Sequence, residues 1–327
     1  MMSSDRSRAR ISCGLPWQIS RAEGCLLGHV CGDALGSEVE FFSSADKIRQ
    51  AFPTGVREMF GGGTYNTLKG QPTDESELAI ALARILVQST VYNAQRVRQV
   101  YLEWFESCPF DCNHTTAAAL CGNINDASQN NGALVRMSPL GLYGAGRSHE
   151  LVSDWARQDA ALTHPNPVCQ EVNAIFVLAI SRSVQQGLNP QDLYESICHH
   201  AVDMEVSSEV LDAVHAAQKK SWIDQCDGKQ EWVLVAWENA LWQLLHAPNM
   251  EEAVVDTIHR GGSTAANAAI CGSLLGSVYG REAIPKHWSD AVLRCEPKAG
   301  EAGVGQPRPA QYWPSDLLEL ARELVAG

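Results

Sequence analysis

The feature that most constrains this chain is a helical repeat of apolar residues that recurs along most of its length. After Pro72-Thr73-Asp74, apolar side chains fall at Leu78, Ala81, Leu82, Ile85 and Leu86. That spacing of three and four gathers them on one face of an α-helix. Val172, Ile175, Phe176, Ala179 and Ile180 repeat it, as do Val233, Ala236, Trp237, Ala240, Leu241 and Leu244. Strands would need sustained alternation with a period of two, and no such run occurs. From Asn267 to Gly280 the chain is rich in Ala, Gly and Ser around Ile270, Leu274 and Val278. Small side chains there let a helix approach its neighbours closely. The pattern never lapses for long before Pro297, which predicts one compact all-α domain.

The ends and loops divide the chain. Residues 1–20, with Arg6, Arg8 and Arg10, read as a flexible N-terminal extension. Residues 21–296 form the helical domain. Residues 297–327 read as a Pro/Gly-rich segment and a short terminal helix, with Leu317, Leu320, Ala321 and Leu324, packed on the same domain. Gly61-Gly62-Gly63 and Gln129 to Gly132 read as loops, and Asp74 with Glu77 as a capping-box-like helix start.

Charge and cysteine usage narrow the function. With 25 basic and 38 acidic side chains, the net charge is -13. Such a surface repels phosphate backbones and anionic lipid, so neither nucleic acid nor membrane is an expected partner. No run reaches the ~18 apolar residues of a membrane helix. Met1 to Ser20 has no apolar signal core, so a cytoplasmic location is expected. The 11 cysteines include no CxxC pair and read as reduced core thiols.

Five segments could carry chemistry. Gly32-Asp33-Ala34-Leu35-Gly36 precedes Glu38 and Glu40. Its glycines allow backbone to approach a neighbouring helix or a ligand. Thr73, Asp74 and Glu75 are consecutive hard oxygen donors of the kind Mg²⁺ or Mn²⁺ takes. The same acids also complement a helix dipole. Ser128 to Arg136 is a polar turn that offers backbone N–H groups to phosphate or ribose, or simply connects helices. Thr163-His164 precedes Pro165, where a histidine is as readily structural as functional. Gly261-Gly262-Ser263-Thr264-Ala265-Ala266 opens a helix, a place for an anion, yet it has no carboxylate. His199 and His200 read as surface residues.

In this order and register, the five segments resemble the ADP-ribosylglycohydrolase family from about Gly24 to Trp288, with Pro109-Phe110-Asp111 and Trp232 to Pro248 fitting between them. The resemblance implies a compact orthogonal helix bundle and a dinuclear Mg²⁺ or Mn²⁺ centre. It also implies cleavage of the bond joining ADP-ribose to a modified side chain, often arginine, by a monomer. It assigns metal binding to Thr73, Asp74 and Glu75, and catalysis to Glu40, Asp74 and Glu75. Ligand binding falls to Ser128, Asn131, Gly132, Ala133, Arg136, His164, Gly261 and Gly262. Glu75 stands where Asp is usual, which moves the carboxylate by one methylene, roughly 1.5 Å. Asn130 stands where Gly is usual. The usual Gly-Gly-Asp-Thr-Asp-Thr is most altered: Ser263, Ala265 and Ala266 replace two carboxylates and a hydroxyl, and only Thr264 persists.

That loss bears on the metal. Two divalent ions a few ångströms apart repel strongly unless carboxylates surround them. The chain is therefore expected to bind a dinuclear pair weakly or not at all. Two functions follow. One is hydrolysis of ADP-ribose from modified protein. The other is a catalytically impaired relative that binds ADP-ribose or blocks an ADP-ribosyltransferase.

Overall fold

The computed structural model describes residues 15–40, 44–220 and 231–326. Among them are fifteen α-helices and no strand: α1 (Pro16–Ser37), α2 (Ala45–Ala51), α3 (Asp74–Val87), α4 (Ala94–Glu106), α5 (His114–Leu120), α6 (Ser138–Tyr143), α7 (His149–Ala161), α8 (Pro167–Gln186), α9 (Pro190–Asp203), α10 (Ser208–Ala216), α11 (Val233–His246), α12 (Met250–His259), α13 (Thr264–Tyr279), α14 (Lys286–Leu293) and α15 (Leu317–Val325). Helix α1 takes in residues 16–20. The basic residues Arg6, Arg8 and Arg10 lie outside the described residues. No described helix is long and apolar enough to cross a membrane.

Two antiparallel helices, α1 and α13, form the centre. Gly24, Gly28, Gly32 and Gly36 recur every fourth residue and so lie on one helix face. Against them stand Gly276, Gly272, Ala268 and Thr264 in reverse order. A Cβ on Gly28 would sit 2.3 Å from the Gly272 carbonyl oxygen, and one on Gly272 would sit 2.2 Å from that of Gly28. The backbones touch, and only glycine permits it. Both helices are buried on every side over most of their length, as a helix without a polar face must be. The apolar stripes of α3, α8 and α11 pack into the same core.

The Pro/Gly-rich segment is tied in by charge. Arg308 pairs with Glu77 at 2.7 Å, both side chains 2% exposed, and donates to the Ser107 carbonyl at 3.0 Å. Trp104 Nε1 donates to the same Glu77 oxygen at 2.8 Å. This corrects the capping-box reading. The residue before α3 is Thr73, its side chain makes no cap, and Glu77 faces the core because Arg308 neutralises it there and Trp104 donates a hydrogen bond to it. Helix α15 buries Leu317, Leu320, Ala321 and Leu324 as expected.

A second buried pair joins Arg136 and Asp159 at 3.1 Å, both fully shielded from solvent. Tyr92 and Tyr101 donate to Asp159 at 3.1 Å, and the Arg136 guanidinium lies 4.6 Å above the Tyr101 ring. The nine described cysteines are all free. His199 is exposed, whereas His200 is half-buried with Nε2 3.2 Å from His149 Nδ1.

Candidate metal and ligand site

The site begins at the start of α3. Gly70 takes φ +77° and turns the chain so that Thr73 and Asp74 open the helix. Their position is set from behind by Asp33 on α1, which is wholly buried. It accepts from Thr73 N at 2.9 Å, Thr73 Oγ1 at 2.8 Å and Ser76 Oγ at 2.5 Å. Asp33 thus does the work of the missing N-cap, satisfying N–H groups that would otherwise be orphaned. It belongs to the scaffold that sets the start of α3.

Asp74 and Glu75 meet a third carboxylate, Asp111. One oxygen from each lies within 4.8 Å of the others. Asp111 accepts from Tyr65 Oη at 2.5 Å and from Cys112 N at 2.9 Å. Asp74 Oδ2 accepts from Asn113 N at 2.9 Å, while its Oδ1 is buried with no hydrogen-bond partner. Burial, and then the charge of Asp74, push both Glu75 and Asp111 above the usual carboxylate range. Thr73 Oγ1 contacts both Asp33 and Glu75.

Three crowded anions with a bare buried oxygen want a cation. Hard oxygen donors at this spacing suit a divalent cation such as Mg²⁺ or Mn²⁺, which Asp74, Glu75 and Asp111 could hold.

The α13 side does not offer a second set. Gly261 and Gly262 take φ +73° and +76° and lead to Ser263, which makes no side-chain cap. Ala265 and Ala266 are buried methyls. The anion there is Glu40. Its Oε2 accepts from Thr264 Oγ1 at 2.6 Å and from the Ala265 backbone N at 2.7 Å. Burial pushes Glu40 up to about 7 against the pull of these bonds. Glu40, which the resemblance assigns to catalysis, is thus engaged at the α13 N-terminus, where the helix dipole favours it. The donor set does not fit two ions.

The loop after α5 carries the remaining residues. Ser128 Oγ lies 3.1 Å from Thr115 Oγ1. Asn131 donates its N–H to the Glu231 carbonyl at 2.8 Å and its Nδ2 to Asn267 on α13 at 3.2 Å. Gly132 N donates to Asn130 Oδ1 at 2.9 Å. Ala133, Arg136 and His164 are fully buried. Arg136 reaches Thr163 Oγ1 at 2.9 Å, and the same oxygen is 2.8 Å from His164 Nδ1. Burial, then the charge of Arg136, push His164 down to about 3, so it is neutral, with Nε2 unpartnered. Arg136 and His164 therefore sit behind the loop, locked to Asp159 and Thr163.

Asp111, Tyr65 and Asn113 complete the site without having been singled out by sequence, and Asn130 was noted there only for standing where Gly is usual. Asp111 was visible only as part of Pro109-Phe110-Asp111. Nothing local says that it folds against Asp74.

The described residues thus form an all-helical body with hard-oxygen carboxylates at one helix start and a glycine pair at another. A sequence model of the ADP-ribosylglycohydrolase family matches residues 16–326, and the chain belongs to that family. It is 28% identical over 309 residues to an Acanthamoeba polyphaga mimivirus protein bearing the name of an ADP-ribosyl glycohydrolase, covering 84% of this chain and 92% of that one. It is 25% identical over 300 residues to the ADP-ribosylarginine hydrolase Tri1 of Serratia proteamaculans, covering 85% and 76%. A solved ADP-ribosylglycohydrolase-related protein complex shares the fold with a TM-score of 0.75 at 24% identity, over 95% of this chain and 99% of that one.

Proposed function

We propose that this protein recognises ADP-ribose on modified arginine side chains and hydrolyses the N-glycosidic bond, acting as a monomer with a single divalent cation. The bare, buried Asp74 Oδ1 among three carboxylates carries the reading. A bound Mg²⁺ or Mn²⁺ would supply Lewis-acid activation of water and of ribose hydroxyls. Asp74, Glu75 and Asp111 would hold it, with Tyr65 and Asn113 orienting two of them. The glycine pair at 261–262 would let backbone approach a ribose or phosphate closely. The likeness to an arginine-directed relative supports the linkage.

An assay of ADP-ribosylated arginine with excess Mg²⁺ tests it. Free ADP-ribose is expected, and Asp74→Asn is expected to lower its release at least about a hundredfold, since the variant loses a ligand charge. No release from the parent ends the hydrolase reading. The methyls of Ala265 and Ala266 and the engaged Glu40 favour one alternative: a binding module that holds ADP-ribose or blocks an ADP-ribosyltransferase. Calorimetry with ADP-ribose and capture of a transferase identify it.

Reversion addresses the metal directly. Ser263→Asp, Ala265→Asp and Ala266→Thr together are expected to raise bound Mn²⁺ by one ion per chain. Unchanged stoichiometry would show that these positions do not face the cation.

A further inference from the structure

We infer that Asn130 is a positioning residue that ties the loop before α6 to the carboxylate cluster and so fixes which oxygen of Asp74 is left bare. Its functional meaning rests on the cation reading above. Asn130 is not among the residues with positive φ, so the backbone makes no demand for glycine here, and the side chain is free to do work. It uses both ends. Oδ1 accepts from Asn113 Nδ2 at 2.8 Å and from Gly132 N at 2.9 Å. Nδ2 donates to Glu231 Oε2 at 2.8 Å. A planar amide held at three points cannot rotate without breaking one of them.

Asn113 is equally committed. Its Oδ1 caps α5 by accepting from Thr115 N at 3.0 Å and Thr116 N at 3.2 Å. Its N–H donates to Asp74 Oδ2 at 2.9 Å. With Oδ2 engaged, Asp74 keeps Oδ1 bare, in a carboxylate that clusters with Glu75 and Asp111. The line Glu231, Asn130, Asn113, Asp74 therefore runs from the start of α11 to the cluster. The backbone pairs of Asn131 N with the Glu231 carbonyl and Val233 N with the Gln129 carbonyl, both 2.8 Å, brace its outer end. Glycine at 130 would take the acceptor from two donors at once.

The test is a double-mutant cycle on the full chain, read by Mn²⁺ titration. Asn130→Gly removes the acceptor. Asn113→Ser keeps a helix-capping oxygen but drops the amide donor. Each is expected to raise the Mn²⁺ Kd about tenfold, the usual cost of an outer hydrogen-bond partner to a metal ligand. Because both break one tie, the double variant is expected to be no worse than either single one. A hundredfold loss in the double variant, or an unchanged Kd with only a lower Tm in Asn130→Gly, overturns the inference. Amide exchange supplies an arm independent of metal. Asn130→Gly is expected to speed exchange at the Asn113 and Gly132 amides. If the parent binds no Mn²⁺, the cation reading falls and exchange alone decides: unchanged Asn113 protection overturns the tie, and faster exchange supports it.

Discussion

Gly272→Ala is expected to unfold the protein or to lower its stability by at least ~3 kcal/mol, above the usual ~1–3 kcal/mol cost of overpacking. Intrinsic propensity pulls the other way, since alanine is better than glycine inside a helix by about 1 kcal/mol. Geometry decides the sign. The new methyl would lie 2.2 Å from the Gly28 carbonyl oxygen. That neighbour is backbone and cannot rotate aside, and α1 and α13 would have to separate along their shared length. Total stability is only about 5–15 kcal/mol, so the loss is severe. Chemical denaturation measures it. A variant as stable as the parent would show that the two helices do not touch through their backbones. Gly146→Ala is a control for clash: no atom stands near its Cβ, so only its positive φ of +84° should cost stability.

The second large effect belongs to Asp159. Removing this carboxylate leaves the Arg136 charge in a fully buried place, and Tyr92 and Tyr101 lose an acceptor. Asp159→Ala is expected to cost ~3–5 kcal/mol, the usual penalty for breaking one half of a buried pair. Asp159→Asn keeps the shape and an acceptor, so it should lose less. Because Arg136 also reaches Thr163, and Thr163 reaches His164, the damage should spread to the loop before α6. Differential scanning calorimetry with hydrogen exchange at Leu134 and Val135 checks both points. A loss under about 1 kcal/mol would show the pair to be solvated.

The helices were legible where apolar side chains fall on one face, as in α3, α8 and α11, because periodicity is a local property. The terminal helix was legible for the same reason. The glycines of α1 stood plainly in the sequence, but their partner lies more than two hundred residues away and no local rule names it. Charged residues were read least well. Glu77 looked like a capping partner because the spacing fits, yet Arg308 from the far end of the chain claims it. Asp33 and Glu40 both meet N–H groups at helix starts, a placement that their positions in the sequence did not reveal. Carboxylates are drawn to orphaned N–H groups wherever the fold presents them, and only the fold says where.

Ser263, Ala265 and Ala266 bring no carboxylate to the α13 N-terminus, and Glu40 supplies the anion there from another segment. The charge that remains for a cation is that of Asp74, Glu75 and Asp111. Mn²⁺ titration of the full chain, read by the loss of the free-ion paramagnetic signal, weighs this most directly. One ion bound per chain is the predicted result. Two ions bound with micromolar affinity would contradict it, because the second would then be held where Ala265 and Ala266 offer methyl groups and the one carboxylate, Glu40, is engaged by Thr264 and the Ala265 N–H.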